Sequence, residues 1–218
     1  MIEILSLEKE VLGEACGIFA GKGSIYRTGR SYVLEVRGSA EELPYYRNHV
    51  RSLFERIFSK NPKIIRRSYP GGYVIGIRVC GPQVMKIFHV FLQFPLGKRS
   101  GRVKVPAVIM NNHEYWKHYV RGVFDTRGSV YLRRTGKTYR NPVIDIRSGS
   151  LEHLRQLREI LRDMGFGFWL EKGNLRIRMA GWKNAKRFLK EIKPHNNIKL
   201  KNSKSLRWVS SKLGWPSG

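Results

Sequence analysis

The same block of sequence occurs twice in this chain of 218 residues. The repeat pairs GIFAGKGS, at residues 17–24, with GVFDTRGS, at residues 122–129, an offset of 105. Further along, VLEVR at residues 33–37 is matched by VIDIR at residues 143–147, an offset of 110. Matched blocks in the same order indicate an internal duplication, so we expect two halves of similar structure.

Hydrophobic periodicity predicts helix, two strands, helix, two strands and helix in each half. In the first half we expect helices over about 7–21, 39–59 and 82–94, and strands over about 24–28, 32–37, 64–69 and 73–79. In the second half we expect helices over about 113–127, 150–164 and 182–192, and strands over about 129–134, 141–147, 168–171 and 174–179. Ser6, Ser39 and Ser150 are expected helix N-caps. The expected organisation is a first half over 1–96, a basic linker over 97–111, a second half over 112–202 and a basic tail over 203–218. Trp208 and Trp215 are expected to pack the tail back.

The charge of the chain predicts a polyanionic partner. Lys and Arg number 42 against 16 Asp and Glu, a formal net charge of +26, which is far more positive charge than a fold requires. A membrane is the weaker candidate, because the most apolar stretches, Ile87 to Phe94 and Val103 to Met110, are only about eight residues long. The N-terminus carries acids where a signal peptide carries Lys or Arg. We therefore expect an intracellular, cytoplasmic protein that binds nucleic acid and no membrane.

The cysteine content excludes a disulfide framework. Only Cys16 and Cys80 are present, and they form no CxxC pair, which also argues against structural zinc. Both are expected to be small buried apolar residues.

The repeated blocks extend to ACGIFAGKG at residues 15–23 and VRGVFDTRG at residues 120–128. These resemble the two signature helices of the LAGLIDADG homing endonuclease family, each followed by Ser and a strand. Two further stretches are similar to connecting segments of that family. One is the linker LGKR at residues 96–99 with Val105-Pro106, which leads into Glu114-Tyr115, and the other is HNN at residues 195–197. The resemblance covers roughly residues 7–202.

The resemblance implies an α+β fold of two αββαββα halves related by a pseudo-twofold axis. The signature helices would pack together at the axis, and two saddle-shaped antiparallel sheets would straddle a DNA duplex. Gly17, Gly21 and Gly122 lack side chains and so permit close contact between the two helices.

The resemblance also implies that the last acid of each signature holds a divalent metal in active members of the family. Here those positions are Lys22 and Arg127, and a cation cannot coordinate Mg²⁺. Glu14 is too distant to substitute, about 12 Å up the same helix, and Asp125 is expected to cap or pair near its helix end. The histidines show no ligand spacing. The sequence thus predicts no catalytic residue, no metal and no cofactor.

Strand alternation divides each sheet into two faces. Leu34, Val36, Ile144 and Ile146 are expected to face the helices, and the alternate residues to face nucleic acid. Arg can bind guanine edges, and Glu or Asp can accept from cytosine N4. The candidate contacts are Lys22, Ser24, Tyr26, Thr28, Arg30, Glu35, Arg37, Arg66, Arg78, Lys98, Arg127, Ser129, Tyr131, Arg133, Asp145, Arg147, Arg176 and Arg178.

These observations favour a monomeric protein that binds double-stranded DNA with sequence selectivity and lacks metal-dependent cleavage. Two alternatives stay open. One is an active endonuclease that uses displaced acids or a partner subunit. The other is an RNA-binding factor in intron splicing or on a ribosome, which the basicity also allows.

Overall fold

The computed structural model describes residues 8–135 and 139–201. The basic tail from residue 203, with Trp208 and Trp215, therefore lies outside the described residues, as do Ser6 and Leu7 at the expected start of the first helix.

Each half contains the expected succession of helices and strands. The first half comprises α1 (Lys9–Lys22), β1 (Gly23–Thr28), β2 (Ser31–Ser39), the helical segment α2 (40–58), β3 (Lys63–Tyr69), β4 (Gly72–Cys80) and the helical segment α3 (82–91). The second half comprises α4 (Ala107–Met110), α5 (Trp116–Arg127), β5 (Gly128–Thr135), β6 (Tyr139–Arg147), α6 (Leu151–Asp163), β7 (Trp169–Glu171), β8 (Arg176–Ala180), α7 (Trp182–Ile192) and α8 (Asn197–Lys201).

Three helical features differ from the sequence prediction. The segment expected as a basic linker contains α4, and α8 follows the last expected helix. In addition, α2 and α3 contain π-helical turns, at Tyr46–Val50 and Met85–Phe91. The N-caps of α2 and α6 are as expected: the Ser39 backbone N–H donates to the Glu42 carboxylate at 2.8 Å, and Ser150 Oγ accepts from the His153 backbone N–H at 3.3 Å.

The strands form two antiparallel four-stranded sheets. Their orders are β1-β2-β4-β3 and β5-β6-β8-β7, so the second sheet repeats the first. The residues expected to face the helices, Leu34, Val36, Ile144 and Ile146, are fully buried. This confirms the predicted α+β fold with two related halves.

The signature helices α1 and α5 pack backbone against backbone at the centre of the molecule. A side-chain carbon at Gly17 would overlap the Tyr119 carbonyl, and one at Gly122 would overlap the Glu14 carbonyl. A side-chain carbon at Gly21 would overlap the Thr126 hydroxyl. The predicted role of these glycines in close helix contact is thereby confirmed.

The two cysteines differ in environment. Cys16 is buried on α1 as predicted, but Cys80 is exposed, so the prediction for Cys80 is wrong. Cys80 is the last residue of β4 and pairs with Val33, which places it on the sheet face that no helix covers. Within the described residues, no helix has both the length and the apolar character needed to cross a bilayer.

Candidate nucleic-acid interface

The helix-free face of the first sheet carries three arginines around one carboxylate. Arg78 Nε and Arg67 Nη2 donate to Glu35 Oε1 at 2.7 and 2.8 Å, and Arg37 Nε donates to Oε2 at 2.8 Å. The Tyr26 hydroxyl donates to Oε1 at 2.7 Å. We name this group the first arginine cluster (Arg37, Arg67 and Arg78 around Glu35).

Glu35 stays ionised because of these donors. Burial alone would raise its pKa, but hydrogen bonds from Tyr26, Arg37 and Arg78 lower the pKa of Glu35 to about 2. The charged carboxylate holds the guanidinium groups in fixed positions, while the arginine side chains stay about two-fifths exposed (39% for Arg37 and 43% for Arg67). Their outer N–H groups can therefore reach a ligand laid across the sheet.

The second sheet repeats this arrangement with an additional acid. Arg178 Nε and Arg176 Nη1 donate to Asp145 Oδ2 at 3.0 and 3.2 Å, and Arg147 Nε donates to Oδ1 at 3.4 Å. Arg178 Nη1 also donates to Glu171 Oε1 at 2.7 Å. This is the second arginine cluster (Arg147, Arg176 and Arg178 around Asp145 and Glu171). Its net positive charge is smaller by one than that of the first arginine cluster.

The predicted base-contacting role of Glu35 and Asp145 is wrong. Their side chains are 0% and 1% exposed, beneath the guanidinium groups, so neither carboxylate can accept a hydrogen bond from a base. They fix the arginines in place instead. The sequence placed both residues on the correct face but could not show that longer side chains would cover them.

Arg66 also differs from its prediction. In the sheet register Arg66 is opposite Ile75 and Arg67 is opposite Val74. Arg66 therefore lies on the helix-facing side, where its guanidinium sits 3.7 Å from the centroid of the Tyr73 ring. Arg67 occupies the position that the sequence assigned to Arg66, because a shift of one residue moves every side chain of a strand to the other face.

The remaining strand candidates lie where they were expected. In the first sheet, Ser24 and Tyr26 share the face of Glu35, Thr28 follows them at the end of β1, and Arg30 lies exposed in the turn before β2. In the second sheet, Ser129, Tyr131 and Arg133 share the face of Asp145. Lys98 is exposed in the segment between the halves.

A third group of cations lies where α1 and α5 end, between the two sheets. Arg127 Nε donates to the Gly21 carbonyl at 2.7 Å, and Arg99 donates to the Ala20 and Gly23 carbonyls. These carbonyls carry the partial negative charge of a helix C-terminus, which favours cations. We name Lys22, Arg99 and Arg127 the central cations.

Burial lowers the pKa of each central cation, and the charge of Arg127 lowers the pKa of the other two further. Burial, and then the charge of Arg127, lower the pKa of Lys22. Burial and Arg127 likewise lower the pKa of Arg99 to about 10, and burial lowers the pKa of Arg127. An anion bound among the central cations would raise these three pKa values again, because it supplies the missing counter-charge.

With this geometry established, comparison with known proteins identifies the family. The model of the WhiA LAGLIDADG-like domain matches residues 14–73 and 116–208, well over half of the chain. The chain belongs to this family.

Solved structures share the fold of this WhiA LAGLIDADG-like domain at low sequence identity. Variants of the homing endonuclease I-DmoI match with a TM-score of 0.59 at 13% identity, covering 84% of this chain and 96% of theirs. The I-LtrWI LAGLIDADG homing endonuclease, bound to target DNA, has a TM-score of 0.59 at 13% identity, covering 95% and 92%. The homing endonuclease I-WcaI, bound to its DNA recognition sequence, has a TM-score of 0.56 at 17% identity, covering 89% and 87%. No curated protein matches the chain.

The residues present at the signature ends do not fit a divalent metal. Lys22 and Arg127 occupy the two positions, and the nearby acids are already bound. Asp125 is fully buried and accepts the backbone N–H groups of His195 and Asn196 at 2.9 and 3.1 Å, which confirms that it pairs near its helix end. Glu42 accepts from Asn196 Nδ2 at 2.8 Å and pairs with Lys199 at 3.0 Å. Among the described residues, no free carboxylate replaces the missing ligands.

Four features of this domain could not be predicted from the sequence. Arg67 and Arg99 complete the cation groups, and Trp169 lies on the face of the second arginine cluster, opposite Arg178 and 39% exposed. The histidines show no ligand spacing in the sequence, yet His49 and His195 converge on the buried Glu14 in the fold. Residues so far apart in sequence give no spacing signal, and only the folded chain brings them together.

Proposed function

We propose that this protein binds double-stranded DNA with sequence selectivity, as a monomer inside the cell, and does not cleave it. The observation that carries the proposal is the group of central cations at the ends of the signature helices. Divalent metals bind carboxylates at such a position, whereas Lys22, Arg99 and Arg127 offer a site for phosphate. The DNA-bound forms of I-LtrWI and I-WcaI support a duplex as the partner of this fold.

The two sheets and the central cations would have different roles. The arginine clusters lie on the open sheet faces, and their outer guanidinium groups are the groups that bind guanine edges in a major groove. The central cations would bind the backbones between the two half-sites and fix the position of the duplex without sensing its sequence. Binding of this kind needs no metal, so it should persist in EDTA.

A binding and cleavage assay on the full chain tests the proposal. A duplex selected from a random pool should be retained equally in EDTA and in Mg²⁺ or Mn²⁺, and should stay intact after long incubation. Lys22→Ala and Arg127→Ala should each weaken binding by about 1–3 kcal/mol, the contribution of a hydrogen bond to a charged group. Lys86→Ala is the matched control, because Lys86 is exposed on α3, on the helix side of the first sheet.

The outcomes separate the alternatives. Site-specific cuts that Asp125→Asn or Glu14→Gln abolish would establish an endonuclease with displaced acids. Stronger retention of structured RNA than of duplex at the same salt concentration would favour the RNA-binding alternative. Unchanged affinity in both central variants would show that the central cations do not contact the duplex.

A further inference from the structure

Three side chains from distant parts of the chain meet at one point beside the signature helices. Glu14 lies on α1, His49 on α2, and His195 in the segment between α7 and α8. Glu14 Oε1 is 2.5 Å from His49 Nε2 and 2.9 Å from His195 Nδ1. The three ligand atoms lie within 4.8 Å of one another. We propose that Glu14, His49 and His195 bind a divalent transition-metal ion of the Zn²⁺ type.

The donor set suits such an ion. Neutral imidazole nitrogen and carboxylate oxygen are its common ligands, and two His with one Glu leave one coordination position open. With metal–ligand bonds of about 2.0–2.2 Å, neighbouring ligand atoms of a tetrahedral site are about 3.4 Å apart. The two distances from Glu14 Oε1 to the histidine nitrogens need to widen by less than about 1 Å to reach this value. The two histidine nitrogens, which lie within 4.8 Å of each other, need to approach by at most about 1.4 Å. Both histidine side chains are about one-third exposed, at 31% and 37%, so the rings can make this adjustment.

The surrounding charges allow a cation here. Arg121 Nη1 approaches the other oxygen of Glu14, Oε2, at 3.3 Å, and opposes metal binding. However, Arg121 is itself paired with Glu10 at 2.7 Å. Two acids, Glu10 and Glu14, therefore share this one arginine.

A buried hydroxyl beside the group gives independent support. The Tyr45 ring stacks on His49, with ring centroids 5.6 Å apart and an angle of 24° between the planes. The Tyr45 hydroxyl is buried and, within the part of the chain that the structure describes, has no hydrogen-bond partner. A water on the open coordination position would provide such a group with a partner.

This site differs from the metal positions of the homing endonucleases in place and in consequence. Glu14 is eight residues before Lys22 on α1, about 12 Å along the helix axis. An ion there would join α1, α2 and the segment between α7 and α8. His195 and Asn196 in this segment bind Asp125 through their backbone N–H groups. The ion would thus fix the C-terminal part of the second half to the first half.

Metal binding is tested on the full chain after EDTA treatment, without DNA, so the result is independent of the proposed function. Calorimetric titration with Zn²⁺ at mildly alkaline pH should show one equivalent bound, and Co²⁺ should give the visible absorption of a low-coordinate site. His49→Gln and His195→Gln should each weaken Zn²⁺ binding more than tenfold, since even the loss of an outer partner costs about 10–100-fold. His113→Gln is the matched control, because His113 is exposed and does not belong to the cluster.

A second measurement uses only the unaltered protein, in case a variant fails to fold. Zn²⁺ should protect His49 and His195, and not His113, from modification by diethyl pyrocarbonate, as mapped by mass spectrometry. Absence of a bound equivalent, equal affinity in all three glutamine variants, or equal modification of the three histidines with and without Zn²⁺ would each overturn the proposal.

Discussion

Glu35 is the residue whose charge most clearly serves the candidate interface. Replacing Glu35 with Gln keeps the side-chain size but leaves three neighbouring arginines without their shared counter-charge. We expect the free energy of unfolding to fall by about 1–3 kcal/mol at low salt, the range for hydrogen bonds to charged groups. Urea unfolding measures this change. Glu41→Gln is the matched control, because Glu41 is an exposed acid in the same half.

The pH dependence of this effect has a definite sign. The folded-state pKa of Glu35 is lowered to about 2, so its stabilising contribution is present above the unfolded pKa of about 4.3 and is lost as the pH falls through the folded value. The stability of the unaltered protein should therefore decrease between about pH 5 and 2 more steeply than that of Glu35→Gln. Parallel curves for the two proteins would contradict the role assigned to Glu35.

Three features at the scale of single residues could not be predicted from the sequence. Alternation placed Glu35 and Asp145 on the open faces, but whether an acid there contacts a ligand or holds arginines depends on the length of its neighbours. The choice between Arg66 and Arg67 depends on the register of β3 against β4, which two adjacent arginines in the sequence do not specify. The meeting of Glu14, His49 and His195 depends on tertiary packing alone.

At the scale of elements, the contact between α1 and α5 determines how the halves are arranged. Gly17→Ala would place a methyl group against the Tyr119 carbonyl and the Val123 backbone nitrogen. Backbone cannot move aside as a flexible side chain can, so we expect a loss of about 1–3 kcal/mol or more of unfolding free energy. Gly122→Ala, against the Glu14 carbonyl, should behave alike.

The control for this prediction is Gly173→Ala. Gly173 has nothing within 4 Å of the added carbon, so its effect should stay within about 0.5 kcal/mol. Denaturant unfolding followed by circular dichroism measures all three variants. If Gly17→Ala were no more destabilising than Gly173→Ala, the two helices would not be in the close contact described here.

Elements with a strong pattern could be predicted, and short ones could not. The long helix α7 shows the helical period over several turns, and its expected range agrees with the structure. In contrast, α4 has four residues and α8 has five, too few to show a period. The π-helical turns in α2 and α3 keep the chain helical, so hydrophobic spacing does not distinguish them from ordinary turns.

At the scale of the whole molecule, the duplication could be predicted because both copies keep the signature and the strand that carries the buried acid. What could not be predicted is how far the copies have diverged in charge. The first arginine cluster has one acid for three arginines, whereas the second has two acids for three arginines. The two sheets therefore present different surfaces, and an asymmetric target is expected.

The net charge of +26 predicts a steep response of DNA binding to salt. If about six to ten phosphates are contacted, affinity for a duplex should fall about 10³–10⁵-fold between 50 and 200 mM salt. Binding measured by fluorescence anisotropy across that range tests this expectation. A nearly flat response would mean that the excess charge is not used for phosphate contact.

Arg37 and Arg147 test whether the two sheets bind different halves of the target. These residues occupy matching positions in the repeat and pair with Glu35 and Asp145 on separate sheets. Arg37→Ala should relax base preference in one half of the target and Arg147→Ala in the other, each by about 1–3 kcal/mol, as for the loss of a bidentate base contact.

Each variant serves as the matched control for the other, with selection from a random duplex pool and sequencing as the measurement. The salt slope should stay the same in both variants, because a base contact releases no counter-ion, whereas the loss of one phosphate contact would change the slope by about 0.9. If both variants altered the same half-site, or changed the salt slope alone, the arginine clusters would be binding phosphate rather than bases.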